Sequence, residues 1–520
     1  MKTNRTRLAG LATVAVFIWM VLRFWHPVYG FTGFLQLGAS PDNGRITAFQ
    51  NRPVYVYPYR GSYDGVSYAQ IAYHPLINAP EMRPTIDNLA YRARRIVPPA
   101  LAWLLAGGNP RWIVHVYSVI NVAAWLVLAG LLWRLLAVRD GRTWIAWAGV
   151  LFSAGALASV RLALTDLVAL TAIAGAMLAV ERGRKGWATT WLAVAGLSRE
   201  TSLLALPGIW KSSAGGDACA TFLTWPNLRR SLLAIAPLAL WIGYIRWQTG
   251  PADQGWDNFT RPLASFVDKW RTVVADLRSP PDPLLAWTTL LATVGLTVQA
   301  AWLAAIARRR TLDDPWWRIG ATYAVLMLFL GPAVWAGYPG AATRVLLPMG
   351  LAFNVLACRR RAALVLLLAG NLTVPAGLLA MKDHPPHPRE ITAAHHAGIT
   401  YLVRLADGWY KVERTNWHAK SWSSGSGLLD IETWPRDSRS LQLAFTTRSI
   451  VPRSVEIREG MAALWQGSVG VAYQEVTIPF TTRDGHAELE FSTDSPSVSA
   501  GSGTNQRLLT FNIRDPHLVH

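Results

Sequence analysis

The chain has 520 residues, 52% of them hydrophobic and only 16% charged, whereas a soluble protein carries about a quarter charged residues, so a soluble globular class is excluded. The formal net charge of +19 comes from arginines grouped in short clusters between apolar runs, a placement that belongs to membrane topology and argues against nucleic acid as a partner. The two cysteines, Cys219 and Cys358, fall on the cytoplasmic side of that topology, so no disulfide staples an exported part.

The first apolar run, Leu8 to Leu22, follows Lys2, Arg5 and Arg7. No small-residue cleavage site comes after it, only Arg23-Phe24-Trp25-His26-Pro27, so the run reads as a retained anchor with the N-terminus in the cytoplasm. Further spans are predicted over residues 112–137, 143–159, 163–180, 231–246, 284–306, 318–336, 345–358 and 362–381. The total is about nine segments near the ~20 residues that a bilayer requires. The basic clusters fall at alternate gaps: Arg134 to Arg142, Arg182 to Lys185, Lys211 to Arg230, Arg308 to Arg310 and Arg359 to Arg361. That alternation leaves residues 25–111 and 247–283 as long outer loops, with short outer turns near Arg161 and from Tyr338 to Arg344. Between Lys185 and Lys211 an apolar stretch is interrupted by Ser198-Arg199-Glu200-Thr201, which predicts a broken or re-entrant hairpin. Leu263, Phe266, Val267, Trp270, Val273, Val274 and Leu277 share helical spacing and predict an amphipathic helix in the second long loop.

After Met381 the pattern changes. Residues 382–395, rich in proline and histidine, read as a linker between a membrane domain of residues 1–381 and an exported β-sandwich of residues 396–520. Period-two alternation in Leu441 to Phe445, Ser454 to Ile457 and Ala487 to Phe491 marks the strands. Trp409, Trp417, Trp422 and Trp434 crowd the start of this domain and are candidate glycan contacts, with a core role as the alternative. His384, His387, His395 and His396 fit a solvated linker better than a metal site. The expected fold is therefore a polytopic α-helical membrane protein with a C-terminal all-β sandwich.

No Walker lysine loop, HExxH, paired CxxC or GxSxG elbow occurs in the sequence, so nucleotide hydrolysis, a zinc protease and a serine hydrolase lose their usual support. What stands out is Tyr63-Asp64-Gly65 in the first outer loop, followed by Tyr68 and Gln70 and then by Arg92, Arg94 and Arg95. An acid at the membrane surface can hold a proton while guanidinium forks grip phosphate. In the same topology Asp166 and Arg344 face the same side, with Arg161 at the turn before Asp166. Arg199 and Glu200 are ionisable residues at membrane depth, which points to a site. Each also has a plainer reading: Asp64 as a helix cap, Arg161 with Asp166 as a structural pair, Arg92 to Arg95 on anionic lipid, and Arg344 snorkelling to the interface.

On these residues the region 1–381 resembles the membrane-embedded GT-C glycosyltransferases. The resemblance lies in the inside N-terminus, the large first outer loop with Tyr63-Asp64-Gly65, the segment Arg94-Arg95-Ile96-Val97-Pro98, a second acid at Asp166, and Leu197-Ser198-Arg199-Glu200-Thr201 leading to Leu206-Pro207. It implies transfer of a sugar from a polyprenyl-phosphate donor to a glycan, lipid or protein acceptor on the outer face of a bacterial cytoplasmic membrane. It further implies Asp64 and Asp166 as catalytic acids and arginines on the donor phosphate. The family's Asp-x-Asp or Asp-Glu pair is missing, so no metal ligand carries over and a divalent cation stays an open cofactor. A lipid or polysaccharide transporter and a non-catalytic scaffold with a glycan-binding β domain are the competing classes.

Overall fold

A computed structural model describes residues 2–519 except 40–43, 59–60, 211–223, 251–257, 281, 309–311, 361–363, 383, 386, 416 and 501–505. Lys211, Cys219, Arg309, Arg310, Arg361, and the linker residues Asp383 and Pro386 therefore lie outside the described residues. The chain divides into two compact units. One comprises Met1–Trp25, Phe31–Ile46 and Val56–His384, and the other His26–Gly30, Thr47–Tyr55 and Pro385–His520.

The first unit is helical. Among the described residues four helices are long and apolar enough to cross a membrane: Arg5–Leu22, Pro110–Leu135, Trp225–Thr249 and Pro283–Ala305. The helices Gly141–Leu151 and Ala154–Arg161, bent by 41° at Ser153, add a fifth if taken as one span. The protein is thus membrane-embedded, with fewer qualifying spans than the nine expected. The reason is length. Asp166–Glu181 has 16 residues, Lys185–Ser198 has 14, Pro315–Phe329 has 15 and Leu347–Cys358 has 12. At 1.5 Å per residue these reach roughly 18–24 Å, short of a ~30 Å hydrocarbon core. Apolar composition had hidden the breaks between them.

The amphipathic helix forms over Ala264–Arg278. The apolar stretch after Lys185 breaks at Arg199, whose backbone is extended, and continues as a 3-10 helix over Glu200–Ile209.

The second unit is a β-sandwich of two antiparallel sheets. The six-stranded sheet runs, in spatial order, Ala462–Val469, Arg453–Glu459, His486–Thr493, Gly427–Trp434, Ile399–Leu405 and Glu390–His396. The five-stranded sheet runs Gln474–Thr482, Arg439–Ser449, Phe511–Val519, Ala419–Trp422 and Glu413–Arg414. Alternation along each strand sends Leu429, Ile431, Ile457 and Phe491 from one sheet, and Phe445, Ile478, Phe480 and Ile513 from the other, into one core.

Two expectations are corrected here. The linker ends early, because Glu390–His396 is a strand paired with Ile399–Leu405 through a turn at Ala397 and Gly398, both with positive φ. Its histidines and the preceding prolines had masked the alternation. Of the four tryptophans, Trp422 and Trp434 are buried and Trp409 packs against the core, leaving Trp417 as the exposed one. Trp422 and Trp434 lie outside that core and are covered by neighbouring side chains, Trp422 by the Arg448 guanidinium and Trp434 by Tyr29 and Arg436.

Candidate functional site

Asp166 is the first residue of the helix Asp166–Glu181, and the turn ahead of it is tightly built. Ala163 takes a left-handed conformation at φ 48°, and the Leu164 amide donates back to the Ser159 carbonyl at 2.9 Å. Tyr117 Oη donates to the Ala163 carbonyl at 2.9 Å and Asn121 Nδ2 to the Leu164 carbonyl at 2.6 Å. These bonds fix the start of the helix, where its positive end favours a carboxylate. Asp166 is only 3% exposed. It is held by two guanidiniums, Arg199 through Nη1 to Oδ1 and Arg344 through Nη1 to Oδ2 at 3.4 Å.

Arg344 sits on a short helix, Ala342–Val345, whose position depends on a close approach: a Cβ on Gly155 would lie 2.2 Å from the Thr343 carbonyl. Its Nη2 donates to Tyr63 Oη at 2.8 Å. Tyr63 in turn precedes the helix Asp64–Ile71, which lies so close to the turn after Arg161 that a Cβ on Gly65 would meet the Leu162 carbonyl at 2.2 Å. The Asp-Gly step is therefore steric as well as chemical: only glycine lets the helix that begins at Asp64 pack this closely on the turn ahead of Asp166.

Asp64 is not the helix cap. Tyr63 occupies the cap position with extended backbone and no side-chain cap bond, and Asp64 stands one residue inside. Its carboxylate, about one third exposed, receives Arg92 Nη1 at 2.6 Å, and Arg92 Nη2 reaches Asp87 at 2.8 Å. Arg95 is buried and spreads its fork over three partners: Nε to Glu200 Oε2 at 3.1 Å, Nη1 to Tyr68 Oη at 2.6 Å and Nη2 to Tyr91 Oη at 2.8 Å. Arg94 lays its guanidinium over the Tyr91 ring at 5.5 Å. Asp64 and Asp166 both lie within electrostatic reach of Tyr63 and Arg344.

Two predicted site residues turn elsewhere. Arg161 is buried, donates to the Gly33 carbonyl and to Tyr57 Oη, and sits over the rings of Phe24 and Tyr57. It anchors the first loop, and Asp166 pairs with Arg199 and Arg344 instead. Gln70 clamps that loop as well, its Oε1 accepting from the Ile46 amide at 2.8 Å and its Nε2 donating to the Gly44 carbonyl at 3.3 Å. Conversely, Asp87 and Tyr91 join the cluster without having been singled out. The aromatic beside the arginine run was the available signal for Tyr91.

Among the described residues, Arg92 Nε, Arg199 Nε and Glu200 Oε1 of this charged cluster are buried with no hydrogen-bond partner, as are Asn121 Oδ1 and Thr165 Oγ1 beside it. Unpaired groups in an apolar setting are costly, and a ligand that satisfies them offsets that cost.

For a divalent cation, the one group of three candidate ligands among the described residues is His26, His387 and Glu390, in the β unit. His26 Nδ1 accepts from the backbone amides of Val28 and Tyr29, both at 3.2 Å, so Nε2 carries the proton and donates to Glu390 Oε2 at 2.8 Å. A metal on Nε2 would force that proton onto Nδ1, against two amide donors. The set fits a hydrogen-bonded carboxylate, completed by His387 Nδ1 at 3.0 Å, and does not fit a cation. The two histidines hold the Glu390 carboxyl down at about 2 in spite of its burial.

No protein-family model matches this chain, and no curated protein sequence matches it.

Proposed function

We propose that the chain is an inverting glycosyltransferase that moves a sugar from a polyprenyl-phosphate donor to an envelope glycan, lipid or protein on the outer face of the bacterial cytoplasmic membrane. The observation that carries this reading is the Tyr63-Asp64 junction, where the phenol takes a hydrogen bond from Arg344 and the neighbouring carboxylate pairs with Arg92. A partly exposed acid thus stands beside buried guanidiniums.

The two acids divide the work. Asp64 accepts the proton of the acceptor hydroxyl while the hydroxyl oxygen forms a bond to the anomeric carbon. The bond from that carbon to the phosphate oxygen breaks, and polyprenyl phosphate leaves with the electron pair. Attack from the opposite face inverts the anomeric centre. Arg199 and Arg344 meet the growing phosphate charge, a fixed electrostatic arrangement that needs no reorganisation during the reaction. Asp166, already paired twice, holds those two forks in place. Arg95 orders Tyr68 and Glu200 behind them. The basic clusters at alternate gaps support a cytoplasmic N-terminus and an exported β-sandwich.

The test is sugar transfer from a polyprenyl-phosphate donor by the full-length protein in detergent. General-base catalysis contributes ~10²–10⁴-fold, so Asp64→Asn loses most turnover while still binding donor. A wild-type protein without transfer, or an Asp64→Asn protein with native turnover, overturns the assignment. Movement of intact lipid-linked glycan across vesicles without sugar transfer would make it a transporter.

A further inference from the structure

The five-stranded sheet carries a second cationic constellation, on the face turned away from the sandwich core. In the strand Arg439–Ser449, Phe445 and Thr447 point inward, which turns Thr446 and Arg448 outward. Register then places Arg448 opposite Asn512, and Asn512 opposite Trp422, in one row across three strands. The next row sets Thr446 opposite Arg514, and Arg514 opposite Lys420. Tyr473, just before the strand Gln474–Thr482, closes the first row.

The geometry is that of a stack. The Arg448 guanidinium carbon lies 5.5 Å from the Trp422 ring and 4.9 Å from the Tyr473 ring. The Arg514 guanidinium lies 4.8 Å from the same Tyr473 ring. Asn512 steadies the arrangement, its Nδ2 donating to Tyr473 Oη at 3.3 Å and its Oδ1 accepting from the Arg448 amide at 3.0 Å. One phenol ring is therefore shared by two like charges.

The acids on this face do not neutralise them both. Asp515 is taken by His418 and Arg514, and Glu413 by Lys420 and Arg507. Glu475, opposite Thr446, is exposed to solvent. Among the described residues Arg448 forms no ion pair and no side-chain hydrogen bond, and its Nε is buried without a partner. Two guanidiniums converging on one ring, one of them unpaired, are a standing demand for an anion. The ring they share is 38% exposed, a flat apolar surface of the kind that covers the C–H face of a sugar.

We infer that this face binds an acidic saccharide, with a carboxylate or phosphate group on the Arg448 fork and an adjacent sugar ring on Tyr473. The inference does not depend on the catalytic reading, and its test does not measure turnover. The full-length protein in nanodiscs of zwitterionic lipid would be titrated with a galacturonate hexasaccharide, a maltohexaose phosphorylated on its primary hydroxyls and neutral maltohexaose. Binding of either acidic oligomer, weakened by salt, is the supporting result, and which of the two binds identifies the anion. Arg448→Gln should weaken it about tenfold, the worth of a charge-assisted hydrogen bond. Tyr473→Ala should weaken it with an unchanged melting temperature, which keeps the test informative if Arg448→Gln folds poorly. Equal binding of maltohexaose overturns the inference. So does Arg448-dependent binding of phosphatidylglycerol vesicles with none of the oligomers, which would make the face a lipid contact.

Discussion

Tyr63 Oη accepts a hydrogen bond from Arg344 Nη2 at 2.8 Å, joining two residues 281 positions apart. The bond links the first long loop to the short helix Ala342–Val345, and through Arg344 it reaches Asp166. Tyr63→Phe removes the acceptor alone. Donor KM should rise several-fold as Arg344 loses one of its two anchors, with the melting temperature little changed. Arg344→Lys and Arg199→Lys keep the charge but lose the fork, and should raise donor KM further. Steady-state kinetics with varied donor separate these outcomes, and native KM in all three variants removes the arginines from the donor site.

Gly65 sets the distance between the helix that begins at Asp64 and the turn that leads to Asp166. Because its Cβ would lie 2.2 Å from the Leu162 carbonyl, Gly65→Ala must push the helix away from rigid backbone. Both stability and turnover should fall, unlike Asp64→Asn, which should lose turnover alone. Thermal unfolding followed alongside transfer activity distinguishes the two signatures.

Glu390 predicts an acid sensitivity confined to the β unit. Its folded carboxyl titrates at about 2, below the 4.5 of an unperturbed glutamate, so the unfolded state binds the proton more readily. The stabilisation is complete above about pH 4.5 and is lost as pH falls towards 2; for a shift of this size it is on the order of 3 kcal/mol. Glu390→Gln should flatten the acid limb of the stability curve between those values. An unchanged acid limb in the variant would place the sensitivity in other carboxylates.

Several elements were legible in the sequence because their signals are local. Ala487, Leu489 and Phe491 alternate with exposed Glu488 and Glu490, and the strand follows from that pattern alone. The charged break at Arg199-Glu200 and the amphipathic face of Ala264–Arg278 are equally local. The misses are of two kinds. Continuous apolar composition concealed the ends of the short helices, since Ser153 or Gly331-Pro332 stop a helix without changing its hydropathy. Long-range partnership is the other kind. Nothing near His26 announces Glu390, 364 positions away, and nothing near Arg161 announces Gly33 and Tyr57. For the same reason the arginines of the candidate site could be gathered by sidedness, but not sorted into those that meet Asp166 and those that anchor the first loop.

Asp166 and Asp64 are both acids at this site, and their surroundings separate their roles. Asp166 lies between Arg199 and Arg344 and is almost without exposure, so it has no free edge to offer an acceptor hydroxyl. Removing its charge would leave the buried Arg344 and the largely buried Arg199 without their shared carboxylate. Breaking a buried pair from one side typically costs about 3–5 kcal/mol. Asp166→Asn should therefore lower the melting temperature markedly and weaken donor binding, because both forks lose the group that aims them. Asp64→Asn should do neither, since that carboxylate is partly open to solvent and Arg92 keeps a second acid in Asp87. Measuring melting temperature, donor affinity and turnover on the two variants side by side decides the matter. If Asp166→Asn melts like the wild type and binds donor normally but fails to turn over, the base is Asp166 and Asp64 serves to position Arg92.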